Sequence, residues 1–100
     1  MTTSPSFETG TIYKTFSIAK AIANNPSFGE FVVKCLARHQ LGDWGDLEEY
    51  DRNLNEEALI AGDRIFSAYT CPSNKFDEDK IWIITESDRS ATTILFPFEY

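Results

Sequence analysis

The sequence holds two cysteines, one histidine, one methionine and five scattered glycines, and no apolar run approaches the roughly 20 residues that cross a bilayer. Each scarcity excludes something. A disulfide-stapled secreted domain of 100 residues would carry more cysteine, so Cys35 and Cys71 read as reduced, small, buried hydrophobes. The glycines build no phosphate-cradling loop. With His39 as the sole imidazole, and Ser67 in mid-strand with no nucleophile elbow, nucleophilic catalysis lacks its usual parts. The opening stretch, MTTSPSFETG, has neither basic residue nor apolar core and so does not read as a signal peptide. The expected address is the cytoplasm.

Positive charge is scarce as well. Nine Lys and Arg face 16 Asp and Glu, a net charge of −7. Phosphates repel such a chain, so neither direct nucleic-acid binding nor an anionic membrane surface is expected. Eight of the acids fall within residues 43–63, with Arg52 the one basic residue among them. The plain explanation is a solvated helix face; the functional one is an acidic binding surface.

What remains is enough for a core: 42% of residues are hydrophobic and 14% aromatic. Residues 1–9 read as a flexible polar arm, and 10–100 as one α+β domain. In TIYKTFSI, the even spacing of Ile12, Phe16 and Ile18 suggests a strand. A helical turn follows, capped by Ser17 and stopped at Asn24-Asn25-Pro26. In SFGEFVVKCLARHQLG, the residues Phe28, Phe31, Val32, Cys35, Leu36 and His39 mark one face of a helix. Ser27 and Glu30 make its capping box, and Gly42 its left-handed stop. A second capping box, Asp46 with Glu49, opens another helix, whose inward face reads as Leu47, Tyr50, Leu54, Ala58 and Ala61, with Gly62 at its end. From Arg64 the period becomes two. RIFSAYTC, KIWIITE and ATTILFP read as strands, the last two joined by a hairpin loop at residues 87–90. The expected architecture is α+β: a small antiparallel sheet, made of an N-terminal strand and a three-strand C-terminal meander, with two main helices packed on one face.

Three groups of residues carry candidate chemistry. Cys35 and His39 at i, i+4, with Cys71 and Asp43, have the donor types of a metal site but not the paired spacing of structural zinc, so no metal is expected. GDWGD sets Trp44 between Asp43 and Asp46; the tryptophan reads as a core plug, or else as an exposed anchor for a partner. TESDRS puts Glu86, Asp88 and Arg89 at the hairpin tip, ahead of Thr92 and Thr93. A local ion pair and Asx-type turn explain it as well as a ligand does.

The strings RHQLGDWGDL, NEEAL, RIFSAY and IWIITESDRSATTILFPFEY resemble a family of small proteins encoded in bacterial genomes, plasmids and phage-like elements. Its members are labelled "plasmid-related protein" or, misleadingly, "type I restriction endonuclease subunit M". The family pattern is similar to R-H-x-x-G-D-W-G-D, N-x-x-A-L, S-A-Y, W-I-I-T-E-x-D-R-S-x-T-T and a terminal L-x-P-x-x-Y. The likeness spans roughly residues 36–100 and departs at the N-terminus and at Phe98, where an acid is common. It implies a mobile-element setting and no established activity. The shared residues it points to are Arg38, His39, Asp43, Trp44, Asp46, Asn55, Ser67, Tyr69, Trp82, Glu86, Asp88, Arg89, Thr92 and Thr93.

The leading expectation is therefore a small, acidic, non-enzymatic protein without cofactor that binds a host protein. The target class is a nucleic-acid-binding defence effector, such as a restriction or CRISPR nuclease. The binding surface would be Asp43, Trp44, Asp46, Glu48, Glu49, Asp51, Glu56 and Glu57. The alternative is a small-molecule or catalytic site made where GDWGD, with Arg38 and His39, meets Glu86, Asp88, Arg89, Thr92 and Thr93. A homodimer through an unpaired edge strand is a third arrangement.

Overall fold

The computed structural model describes residues 6–72 and 79–100. Strand β1 (Thr11–Lys14) leads into helices α1 (Phe16–Asn24), α2 (Pro26–Gln40) and α3 (Glu49–Ala61). Strands β2 (Ile65–Thr70), β3 (Lys80–Thr85) and β4 (Ala91–Leu95) follow, and a 3-10 turn at Pro97–Glu99 comes last. The fold is α+β, with one four-stranded sheet in the order β1-β4-β3-β2.

The meander β2-β3-β4 is antiparallel, but β1 pairs with β4 in parallel, so the sheet is mixed rather than wholly antiparallel. Gly10, at φ +62°, turns the chain against the carbonyl of Ser90, where a Cβ would overlap that oxygen. The Thr11 amide then donates to that carbonyl and the Thr15 amide to Ile94, which sends β1 along β4 in the same direction. A long helical connection separates β1 from the meander, so no tight turn forces the opposite sense.

Side chains alternate across a strand. Tyr69, Cys71, Ile81, Ile83, Ile94 and Phe96 thus share one face, where they meet Ile18 of α1 and Phe28, Val32 and Cys35 of α2. Each such burial is worth roughly 2 kcal/mol. A second cluster gathers Trp44, Ala58 and Ile65, with Phe7, Leu47 and Leu59 against it. The six-residue stripe expected on α2 is the stripe observed, with Phe31 and Leu36 partly buried.

Several local expectations change. The N-terminal strand stops at Lys14, and Phe16 and Ile18 belong to α1, because Thr15 rather than Ser17 caps that helix by accepting from the Ile18 amide. Asn25 caps α2 by accepting from Ser27, with Pro26 in the first helical position, where its missing N–H costs nothing. The Asp46–Glu49 box does not form. Asp46 is drawn away by the amide of Thr70, which it accepts at 2.7 Å, and α3 begins at Glu49 without a side-chain cap. Of the expected arm, residues 1–5 lie outside the described residues, and within 6–9 the Ser6 amide donates to Gln40 and the Phe7 ring packs on His39 and Trp44.

The largest change is the rotation of α3. Asn55 and Ala58 face inward, while Tyr50, Leu54 and Ala61 are exposed. β2 is an edge strand, so the N–H and C=O of Phe66 point out of the sheet. The Asn55 amide takes both: its nitrogen donates to the Phe66 carbonyl at 2.6 Å, and its oxygen accepts the Phe66 N–H at 3.1 Å. Satisfying two buried backbone groups outweighs burying a tyrosine that keeps its own hydroxyl in water. Asn55→Ala is expected to lower the unfolding free energy by about 2 kcal/mol. Tyr50→Ala and Leu54→Ala should each cost under about 1 kcal/mol. Urea denaturation of the three variants checks the order, which an inward Tyr50–Leu54 face would reverse.

Candidate functional site

The GDWGD turn is built by its own side chains. The Asp43 carboxylate takes a two-pronged bond from Arg38, at 2.7 Å from Nε and 3.1 Å from Nη2, and accepts the Gly45 amide as well. These donors hold its pKa below the usual carboxylate range, the Arg38 bond foremost. The Asp43 carbonyl accepts the Tyr69 hydroxyl, and Arg38 lies over the Tyr69 ring. Gly45, at φ +76°, pairs with Ala68 on the outer edge of β2; a Cβ there would overlap the Ala68 carbonyl. Trp44 is 4% exposed, and its indole N–H donates to Glu56 at 2.7 Å. It is the core plug, and it is withdrawn from the binding surface offered above. Asp46 donates its amide to Ala68 and accepts the Thr70 amide on its side chain, which lowers its pKa.

The TESDRS hairpin is likewise held by its own side chains, with Arg89 directed onto α3. Asp88 accepts both the amide and the hydroxyl of Ser90, an Asx-type turn that lowers its pKa. Arg89 sits in the left-handed region at φ +60°. Its guanidinium donates to four carbonyls: Ala58, Asp63, Glu86 and Ser87. Two of those, Ala58 and Asp63, lie at the C-terminal end of α3, where a cation is favoured. Glu86 is exposed and serves through its backbone, the N–H donating to Ala91. Thr92 and Thr93 point to opposite faces; Thr93 lies opposite Ile84, and Thr92 is fully buried.

The two segments attach to opposite ends of β2. Asp46 binds at Thr70, while the hairpin begins after Thr85, the partner of Ile65. Five residue steps of strand, about 16 Å, separate Ile65 from Thr70. Among the described residues, their charged groups pair locally. A shallow depression lined by Phe7, Glu8, Thr9, Gly10 and Gln40 contains none of the expected polar-site residues.

His39 is the member of the polar set with the most unexpected partners. It is fully buried, with Nδ1 2.5 Å from the Ser67 hydroxyl and Nε2 2.8 Å from that of Thr85. Thr85 continues to Thr92 at 2.7 Å, and Thr92 donates to the carbonyl of Thr9 at 2.8 Å. A carbonyl only accepts, so the single Thr92 proton is spent on Thr9. Thr85 must then donate to Thr92, and His39 Nε2–H to Thr85. Burial pushes the His39 pKa down to about 4, so the ring is neutral at pH 7 and its Nδ1 accepts from Ser67. Ser67 and Thr85 were not foreseen as partners of His39, nor Thr9 as the end of the chain. The available signal was register: Ser67 and Thr85 are polar residues at inward-facing strand positions, facing a histidine on an apolar helix stripe.

A serine hydroxyl donating to imidazole is the contact of an activated nucleophile. Here Ser67, His39 and Thr85 are all fully buried, and the imidazole is backed by threonine rather than carboxylate. No substrate reaches them in this conformation; the arrangement orders the core. The Cys35–His39–Asp43–Cys71 set does not assemble, since both imidazole nitrogens are taken, and burial pushes the Cys35 thiol up to about 12. Among the described residues no three His, Cys, Asp or Glu side chains gather as a metal site would need, and no helix is long and apolar enough to cross a membrane.

Four acids are left over. The carboxylates of Glu48, Glu49, Asp51 and Glu57 are exposed and form no hydrogen bond or ion pair among the described residues. Beside them on α3 stand Tyr50, 73% exposed, and Leu54, 44% exposed.

Comparison of the chain with protein-family models, curated proteins and solved structures found no match in any of the three.

The buried imidazole makes stability depend on pH. Its pKa is 6.5 as an ordinary imidazole and about 4 in the fold, so between those values the unfolded chain binds the extra proton. The contribution is complete above pH 6.5. It falls by about 3 kcal/mol on descending to pH 4. Urea denaturation from pH 7 to pH 4 should show this loss, and His39→Gln should remove most of the slope in that window.

Proposed function

We propose that this protein acts by binding another protein through the outward side of α3. The observation that carries this reading is the placement of Glu48, Glu49, Asp51 and Glu57. They are exposed and uncommitted to the fold, and they flank the exposed Tyr50 and Leu54. Asp43, Asp46 and Glu56 have structural work within the chain, so they leave the proposed surface. Carboxylates beside an apolar stripe suit a partner surface that is basic and partly apolar. Opposite charge would speed association and make it salt-sensitive, and the tyrosine would supply contact area at low entropic cost.

A basic surface of that kind is what a nucleic-acid-binding protein presents. In a mobile-element setting, the partner class is a host defence nuclease, and occupation of its nucleic-acid groove would inhibit it. The ligand-site alternative is less favoured, because the charged groups of GDWGD and TESDRS are bonded within the fold: Asp43 to Arg38, Asp46 to Thr70, Asp88 to Ser90, and Arg89 to backbone carbonyls.

The test is capture from a bacterial lysate at low and high salt. Wild-type protein is compared with a variant carrying Glu48→Gln, Glu49→Gln, Asp51→Asn and Glu57→Gln. Wild type should retain basic nucleic-acid-binding proteins that salt releases, and the variant should lose them while keeping its folding stability. Equal retention by both proteins contradicts the reading.

A further inference from the structure

The two edges of the sheet are treated in opposite ways. The outer edge of β2 is closed along its length: Asn55 takes the amide and carbonyl of Phe66, Trp44 and Asp46 take those of Ala68, and the Asp46 carboxylate takes the amide of Thr70. The outer edge of β1 is bare. Thr11 and Thr15 direct their amides to β4, so by the alternation of a strand Ile12 and Lys14 direct theirs outward. Among the described residues nothing bonds to them. The side chains around that edge are exposed too: Ile12 by 40%, Tyr13 by 54% and Phe16 by 81%.

We propose that β1 pairs with β1 of a second copy of this chain, antiparallel about a two-fold axis at Tyr13, joining two sheets into one of eight strands. The register follows from the groups on offer. Setting Ile12 opposite Lys14 of the second copy uses every outward amide and carbonyl of the four-residue strand, four hydrogen bonds in all, and places Tyr13 directly opposite its symmetry mate. Tyr13 is then a non-hydrogen-bonded cross-strand pair, the closer kind, where aromatic pairs add stability. Lys14 lies directly opposite Ile12 rather than opposite another lysine.

Charge favours a second copy at this edge and disfavours it elsewhere. Residues 11–29 contain Lys14 and Lys20 and no acid, within a chain of net charge −7. The unpaired acids of α3 lie beside β2, at the other side of the sheet. Two copies meeting at β1 therefore keep their negative surfaces apart. The area sets the strength. Taking about 200 Å² for each large side chain, the exposed parts of Ile12, Tyr13 and Phe16 come to roughly 350 Å² per copy. That is well below the roughly 800 Å² per partner of a standard stable interface. The dimer is accordingly weak and reversible, with dissociation in the micromolar range or above.

Sedimentation velocity across a concentration series tests this directly. Wild type should move from monomer to dimer as its concentration rises from about 1 µM to 1 mM, the range a small interface allows. Lys14→Pro removes an outward amide that the pairing with β4 does not use, and should weaken the dimer at least tenfold while the monomer stays folded. Tyr13→Glu alone and Tyr13→Lys alone set like charges across the axis, and each should be monomeric; mixed in equal amounts they should form a heterodimer. A wild type that is monomeric throughout overturns the proposal, as does a dimer that Lys14→Pro and Tyr13→Glu leave unchanged. Tyr13→Glu and Tyr13→Lys that fail to pair when mixed overturn the Tyr13-centred register.

Discussion

The proton that Thr92 gives to the Thr9 carbonyl sets the direction of everything upstream of it. Thr85 must donate to Thr92, His39 Nε2 to Thr85, and Ser67 to His39 Nδ1. One continuous chain of hydrogen bonds therefore joins β2, α2, β3, β4 and the segment before β1. Each group in it is satisfied in a single sense, and His39, Ser67, Thr85 and Thr92 are fully buried. A fully satisfied polar network in a low-dielectric core favours one arrangement over its neighbours, because a shift that orphans any member exposes the whole desolvation cost of that group. Apolar packing alone would let α2 slide or turn on the sheet more cheaply. The histidine and its two hydroxyl partners fix where α2 sits, and Phe7 and Trp44 close over the ring from the side.

The same economy explains residues that look functional in isolation. Arg89 adopts a strained backbone, at a cost of about 1 kcal/mol, and gathers carbonyls from its own hairpin and from the end of α3. Asp43 and Arg38 hold the turn that delivers Trp44 to the core and Asp46 to the edge of β2. Asn55 completes that edge. Polar residues thus close one side of the sheet and leave the other side open. What the fold does not use is instructive by contrast: the four acids of α3 with Tyr50 and Leu54, and the outward face of β1. These surfaces are where interaction with other molecules is proposed, one for a basic partner and one for a second copy.

The legible parts of the sequence were those set by periodicity. The α2 stripe ending at His39, the three strands of the meander and the left-handed stops at Gly42 and Gly62 follow from local spacing. Less legible were features decided by a distant backbone group. Tyr50 and Leu54 fit an inward helical face by pattern, yet Asn55 occupies it, since a pattern of apolar residues carries no record of the unpaired amide and carbonyl at Phe66. Asp46 looks like a helix cap until Thr70 competes for it. β1 runs parallel because Gly10 turns it beside Ser90, which no strand pattern encodes. For the candidate site, Trp44 as a plug and Asp88 as a local turn were readable from neighbouring residues. The His39 partners were not, because sequence gives the inward parity of Ser67 and Thr85 but not the pairing that sets them on one imidazole.

The directed chain depends on the state of that imidazole, which nitrogen-15 NMR of the histidine side chain reports. The spectrum should show a neutral ring protonated at Nε2 and bare at Nδ1, with no titration until the pH nears 4. A ring protonated at Nδ1, or one that titrates near the ordinary value of 6.5, would contradict the directed chain and the role assigned to His39.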